Sequence, residues 1–283
     1  MRESNEAVQT TLNTFHASQE YKKLRNWIKP LDTSTYQADA QSRRSRGSGE
    51  WLLENSRYQR WQNGLQNFLW LFGLPGCGKA ILSSTVIEAL VRSGRTCLYF
   101  YITFQDHATL SLNNLLRTVL WQMSVQSDPS RAVLDSLYCS CRNGSSDDAR
   151  APNIHELREA FGKMLQLSQQ VWLVIDALDE IAIEASKDDC KDVIEWITDM
   201  VAKHDNLFIL VTSRDEEHIR SRFERMRGDQ RSLSISGEGL DHDIETYIEN
   251  GISASRQLGI RWAKRRDMLN LIKERLMAKA DGM

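Results

Sequence analysis

Between Phe68 and Leu90 an apolar pentad, Phe68-Leu-Trp-Leu-Phe72, leads through Gly73-Leu74-Pro75-Gly76-Cys77-Gly78-Lys79-Ala80 into a segment with regular apolar spacing. There Ile81, Leu82, Thr85, Val86, Ala89 and Leu90 recur at helical intervals. A short continuous apolar run suits a buried strand, and the periodic segment suits an amphipathic helix. The glycines between them permit a tight turn and close backbone approach. A strand that feeds a helix through such a turn belongs to an α/β architecture. The turn also aims several backbone N–H groups at one point, which makes a concave anion site. The pattern G-x-x-x-x-G-K-[ST] of a phosphate-binding loop is complete up to Lys79, whose ammonium suits β- and γ-phosphates.

The last position departs from that pattern. Ala80 stands where a hydroxyl normally reaches Mg²⁺. Phosphate-bound Mg²⁺ keeps several waters and uses few protein ligands. Losing one ligand weakens and misplaces the metal but leaves the phosphate cradle intact. Ser83 lies about a helical turn beyond Ala80, too far along the helix to be expected to replace the ligand directly.

Val171-Trp-Leu-Val-Ile-Asp176-Ala-Leu-Asp179-Glu180 is an apolar run ending in carboxylates. It reads as a central parallel strand covered on both faces. The C-terminal ends of such strands are where open α/β sheets bind ligands. Asp176 is the candidate metal residue, holding Mg²⁺ directly or through water. Asp179 or Glu180 could orient or deprotonate an attacking water; the same acids could merely start the next helix. A third run, Leu207-Phe-Ile-Leu-Val-Thr-Ser213, ends in Arg214. An arginine there can sense a γ-phosphate and stabilise transition-state charge, or pair with Asp215, Glu216 or Glu217 on the surface.

Strand candidates at 68–72, 97–104, 171–176, 207–213 and 232–235 alternate with helical patterns. That order predicts a parallel sheet with helices on both faces, plus flanking helical segments. Three segments are expected. Residues 1–45 form an N-terminal helical piece and linker, with a helix over Thr14–Ile28 presenting Tyr21, Leu24 and Ile28. Residues 46–236 form the nucleotide-binding core. Residues 237–283 form a partial helical subdomain with two apolar stripes: Ile244, Tyr247 and Ile248, then Met268, Leu269, Ile272 and Leu276. The polar run Asn143–Pro152 reads as a loop, and the basic run Arg261–Arg266 as a solvated helix face.

Apolar residues make up 41% and charged residues 26% of the 283, which suits a globular chain with a substantial core. A net charge of −2 argues against nucleic acid or an acidic membrane as partner. No apolar stretch reaches the ~20 residues needed to span a bilayer, and the N-terminus lacks a secretory signal. The five cysteines include no standard zinc spacing. Reduced thiols fit a cytoplasmic protein. Cys77, inside the loop, reads as a small tolerated residue rather than an activated thiol.

Together these segments resemble the NACHT family of STAND-class P-loop NTPases, and within it the fungal branch that overlaps the nephrocystin-3-like N-terminal P-loop domain. Gly47-Ser-Gly-Glu-Trp51 and the following residues to Trp61 resemble its G-T-G-x-W-hydrophobic segment. Leu98–Phe104, Leu115–Gln122 and Asp241-His-Asp-Ile-Glu-Thr-Tyr-Ile248 resemble later family elements. The resemblance implies that Gly73, Leu74, Pro75, Gly76, Cys77, Gly78, Lys79, Ala80 and Ile81 contact nucleotide. It further implies that Asp176, Asp179 and Glu180 form an extended acidic Walker B motif and that Arg214 is a sensor. Family members usually continue into a winged helix and repeats, whereas this chain ends at Met283, so an incomplete switch is expected.

The leading expectation is therefore an ATP-binding (or GTP-binding) module of a NACHT signalling protein, immunity-like in the fungal sense. Mg²⁺ binding is weakened and hydrolysis slow or absent, and protein partners are reached through the flanking helices. One alternative is a working ATPase using Asp176, Glu180 and Arg214. The other is a truncated, non-enzymatic interaction protein.

Overall fold

The computed structural model describes residues 19–142, 149–184, 187–224, 231–236, 238–254, 270–271 and 273–276. The expected helix start at 14–18, the loop at 143–148, the basic run 261–266 and the apolar positions 268, 269 and 272 lie outside these residues. Contacts group the chain into two units. One takes Ser111–Gln169 with the chain up to Asp32; the other takes Thr33–Leu110 with the chain from Gln170 on.

The first unit is helical. Helix α1 occupies 19–28. Leu24 and Ile28 are buried on the expected face, and Tyr21 meets the Trp121 ring at 4.5 Å. Trp27 packs edge-on against Tyr138, and its indole donates to Arg150 O at 2.8 Å. The Arg117 guanidinium donates to Ile28 O at 3.0 Å, which ties the end of α1 to its own unit.

The second unit holds the sheet. Before it come helices α2 (Ser34–Arg43), α3 (Glu50–Glu54) and α4 (Ser56–Gln62); strand β1 is Phe68–Phe72. Helix α5 (Lys79–Arg92) follows, then β2 (Thr96–Tyr101). The chain crosses the first unit as α6 (Leu112–Gln126), α7 (Asp128–Ser140) and α8 (Ile154–Gln166). It returns as β3 (Val171–Asp176), α9 (Asp179–Glu184), α10 (Lys187–Lys203), β4 (Leu207–Ser213), α11 (Glu217–Phe223), β5 (Ser232–Ser234) and α12 (Glu238–Ala254).

All strand pairs are parallel, in the order β2-β3-β4-β1-β5. The apolar runs of β3 and β4 are buried at every position, as expected for central parallel strands covered on both faces. On one face Leu69, Leu71, Trp172, Val174, Phe208 and Leu210 pack with Leu82, Val86 and Leu90 of α5 and with Tyr58 and Trp61 of α4. The alternate residues Phe68 and Trp70 turn the other way, to Phe223 of α11 at 4.9 and 5.6 Å, and α10 packs along β4. The strand expected at 97–104 ends at Tyr101. Beyond it the Thr109 hydroxyl accepts from Thr103 N and donates to Thr103 O, both at 2.9 Å, so the chain turns away from the sheet.

Gly47–Trp51 and Asp241–Ile248 meet in space. Asp243 of α12 accepts from Gly49 N at 3.1 and 2.9 Å on its two oxygens and from the Trp51 indole at 3.0 Å. Gly49 has φ +81°, and a Cβ there would lie 3.0 Å from Thr85 Oγ1 on α5. Sequence spacing carries no signal for this contact between residues so far apart.

Candidate nucleotide site

Strand β1 ends at Phe72, and the loop after it closes onto the first turn of α5. Gly76 and Gly78 hold φ +81° and +85°, the left-handed region that glycine enters without steric cost. Gly78 is the N-cap of α5, which opens at Lys79. Gly73 is needed for space: a Cβ there would sit 2.8 Å from Cys77 Sγ and 3.0 Å from Ile235 Cβ. The Lys79 ammonium folds over its own loop, donating to Gly73 O at 3.0 Å and Leu74 O at 2.8 Å. Cys77 is buried beneath it. Burial pushes the thiol up, against the opposing charge of Lys79, so Cys77 serves as packing rather than as an activated nucleophile. Ala80 is exposed on the first turn, and Ile81 is half-buried behind it.

The acidic end of β3 lies one strand further across the sheet, beyond β4. Asp176 is buried, and its Oδ1 accepts from Ser83 Oγ at 2.6 Å and from Thr212 Oγ1 at 2.7 Å. Burial pushes its carboxyl above the usual range, opposed by these hydroxyls and by Lys79. Thr212 reaches Asp176 because Ile175 registers with Val211, which sets the next residues of the two strands side by side.

Ala177 follows at φ +60°. That conformation costs an L-residue roughly 1–2 kcal/mol. It is held by Ala177 N and Leu178 N, which donate to the Thr212 hydroxyl and carbonyl, each at 2.9 Å. Ala177→Gly is expected to stabilise the fold by about 0.5–1 kcal/mol after the gain in unfolded-chain entropy is subtracted. The measurement is a denaturant midpoint, which should rise at unchanged slope; a fall would mean that no strain is stored there.

Asp179 is buried, and Arg214 engages both of its oxygens. Arg214 N donates to Oδ1 at 2.9 Å, and Nε pairs with Oδ2 at 3.0 Å. Arg214 thus meets Asp179 rather than its chain neighbours; Asp215 and Glu217 pair with Arg220. Glu180 is half-buried at the start of α9, and its Oε2 accepts from Phe104 N at 2.8 Å. Burial raises its carboxyl, with a further push from the Asp179 and Asp176 charges. A cleft of 570 Å³ opens beside the loop, bounded by Gly73–Pro75, Arg214–Glu216, Ser234–Ser236 and the first turn of α12 at Leu240 and Asp241. Glu180 does not line that cleft; its carboxylate is anchored at Phe104, just past the end of β2.

The family model described as nephrocystin 3, N-terminal, matches residues 47–214, more than half of the chain. The chain belongs to the nephrocystin-3 N-terminal family. The matched span opens at Gly47, contains the glycine loop and Asp176–Glu180, and closes on Arg214. Membership implies nucleotide binding. The chain is also 26% identical over 239 residues to vegetative incompatibility protein HET-E-1 of Podospora anserina, a match that covers 82% of this chain. It spans 17% of that relative's length. The resemblance read from the motifs is thus borne out, as is the parallel α/β sheet.

Among the described residues no group of three or more His, Cys, Asp or Glu is arranged to hold a metal, and no helix is long and apolar enough to cross a membrane. The donor set fits a cation carried in on phosphates. Asp176 offers a single carboxylate whose described partners both bind one oxygen, and phosphate-borne Mg²⁺ needs little more than that. Ser83, Thr212 and the Phe104 amide are the parts of this site that sequence reasoning missed. In sequence Ser83 reads only as a residue too far along the helix to replace a metal ligand, and Thr212 only as a polar residue near the end of an apolar run.

Proposed function

We propose that this chain is the ATP-binding module of a NACHT-type signalling protein, with residues 46–236 as the nucleotide-binding segment and with slow or absent hydrolysis. The observation that supports this reading is a left-handed glycine loop, closed by a lysine, next to an alanine. Left-handed Gly76 and Gly78 and the ammonium of Lys79 meet at the start of α5, while Ala80 exposes only a methyl group. Backbone N–H groups at a helix start bind phosphate whatever residue stands at 80. Tight positioning of the metal needs the hydroxyl that is absent. Asp176 would hold Mg²⁺ on the protein side, and the cation would supply neutralisation of phosphate charge.

The neighbouring groups take defined roles in this reading. Arg214 faces the terminal phosphate from the cleft wall, and Asp179 positions it. Glu180 orients water, and its raised pKa suits a general base. The similarity to an incompatibility protein supports a signalling role, and the flanking helices reach protein partners.

The test is calorimetric titration with ATP, with and without Mg²⁺, on this chain and on Ala80→Thr. The native chain is expected to bind ATP in both conditions, with Mg²⁺ strengthening binding by no more than about tenfold. The threonine variant should gain further magnesium dependence, a direct ligand being worth about 10-fold or more. Absence of binding in both proteins would make the loop a remnant and overturn the reading. A working ATPase is favoured instead if hydrolysis by the native chain is rapid and Ala80→Thr changes it little.

A further inference from the structure

We infer that Ser83 is a positioning residue of the metal-facing carboxylate: with Thr212 it pins Asp176 Oδ1, leaving Oδ2 to face the phosphate-borne cation, so that the site keeps a metal response despite Ala80. The inference rests on the nucleotide-binding reading and deepens it. Its starting point is the direction of one hydroxyl. Serine and threonine inside helices ordinarily donate back to the carbonyl four residues earlier. Thr85 does so, to Ile81 O at 2.9 Å. Ser84 Oγ is buried with no hydrogen bond. Thr85 Oγ1 also accepts from Arg44 at 3.2 Å, but of these three neighbours Ser83 is the one that donates its hydroxyl to another element, to Asp176 Oδ1 at 2.6 Å.

Helix geometry explains why it can. Ser83 follows Ala80 by three residues, so both lie on one face of α5. That face looks toward the end of β3. Ser83 and Thr212 are fully buried and Asp176 nearly so, so water does not compete for these bonds. A buried carboxylate without donors would be costly; here two hydroxyls meet the same oxygen from opposite elements, α5 and β4. A carboxylate held at one oxygen by two fixed donors has little freedom to rotate, and among the described residues both donors leave its second oxygen unused. Outer partners of this kind orient a metal-facing group, and their loss typically lowers metal affinity about 10–100-fold.

The test separates positioning from packing. ATP is titrated calorimetrically with and without Mg²⁺ into the native chain, Ser83→Ala, Ser83→Thr and Thr212→Val. In Ser83→Ala the affinity without metal should stay within about twofold of native, while the strengthening by Mg²⁺ should fall from about tenfold to near none. Ser83→Thr, which keeps the hydroxyl, should restore it. Thr212→Val should lose it as Ser83→Ala does, and serves as the second route if Ser83→Ala does not fold; because it also removes the acceptor of Ala177 N, a thermal melt reads its fold separately. An unchanged magnesium effect in Ser83→Ala or Thr212→Val would overturn the inference. So would an equal loss of affinity with and without metal, which is what a packing role predicts. Failure of the native chain to bind ATP at all would overturn the nucleotide reading itself, and this inference with it.

Discussion

Lys79→Ala should lower ATP affinity by about 100-fold, the largest effect of any single change in the loop. A hydrogen bond from a charged donor contributes roughly 1.5–3 kcal/mol, and each 1.4 kcal/mol is tenfold in affinity. In the proposed nucleotide-binding reading the ammonium spans two phosphates, so the upper half of that range applies. The fold should lose much less. Lys79 is half-exposed, and its present partners are the loop carbonyls Gly73 O and Leu74 O, which water can satisfy when the ammonium is gone. Lys79→Arg should not rescue binding, because a planar guanidinium cannot replace a compact ammonium inside a tight loop. Calorimetry reads the affinity and a thermal melt reads the fold. Native-like ATP binding by Lys79→Ala would put the nucleotide elsewhere on the molecule.

The second large effect is an asymmetry within one ion pair. Asp179 is 3% exposed, whereas the Arg214 side chain is 39% exposed. Removing one partner of a buried pair is strongly destabilising because it strands the other charge. In Arg214→Ala the stranded charge is the buried carboxylate, left among the described residues with the residue-214 amide, and the expected cost is about 2–4 kcal/mol. In Asp179→Ala the stranded charge is a guanidinium already open to the cleft, which water resolvates, and the expected cost is about 1–2 kcal/mol. Denaturant unfolding of both variants measures the difference. Equal, small costs would mean that the pair behaves as an ordinary surface contact. If the chain hydrolyses ATP, both changes should slow it, since Asp179 sets where Arg214 points.

These predictions draw unequally on sequence and structure. The loop, the three buried strands and the acidic strand end were legible because each is local. Apolar runs, glycine spacing and a lysine at a helix start carry their physics within about ten residues. Ala80 was legible for the same reason, as a single residue missing from a contiguous pattern. The roles of Asp179 and Arg214 were less so. Sequence left Asp179 open as a water-orienting acid or a helix start, and Arg214 open as a γ-phosphate sensor or a partner for Asp215, Glu216 or Glu217. The structure joins Asp179 to Arg214, a pairing made by two strand ends with β3 and β4 adjacent in the sheet.

Chain order alone determined that a glycine loop would join β1 to a helix opening at Lys79, that carboxylates would stand at the end of β3, and that the hydroxyl at 80 would be missing. Tertiary structure decided which groups meet those carboxylates. The strand order inserts β4 between β1 and β3, so Thr212 comes within reach of Asp176, and α5 packs so that Ser83 meets the same oxygen. It also brought Asp243 onto Gly49 and Trp51, and built the helical unit from the chain up to Asp32 and from Ser111–Gln169. The physical reason is range. Propensity and periodicity act between near neighbours, whereas strand pairing and helix docking join residues whose separation along the chain leaves no trace in either segment.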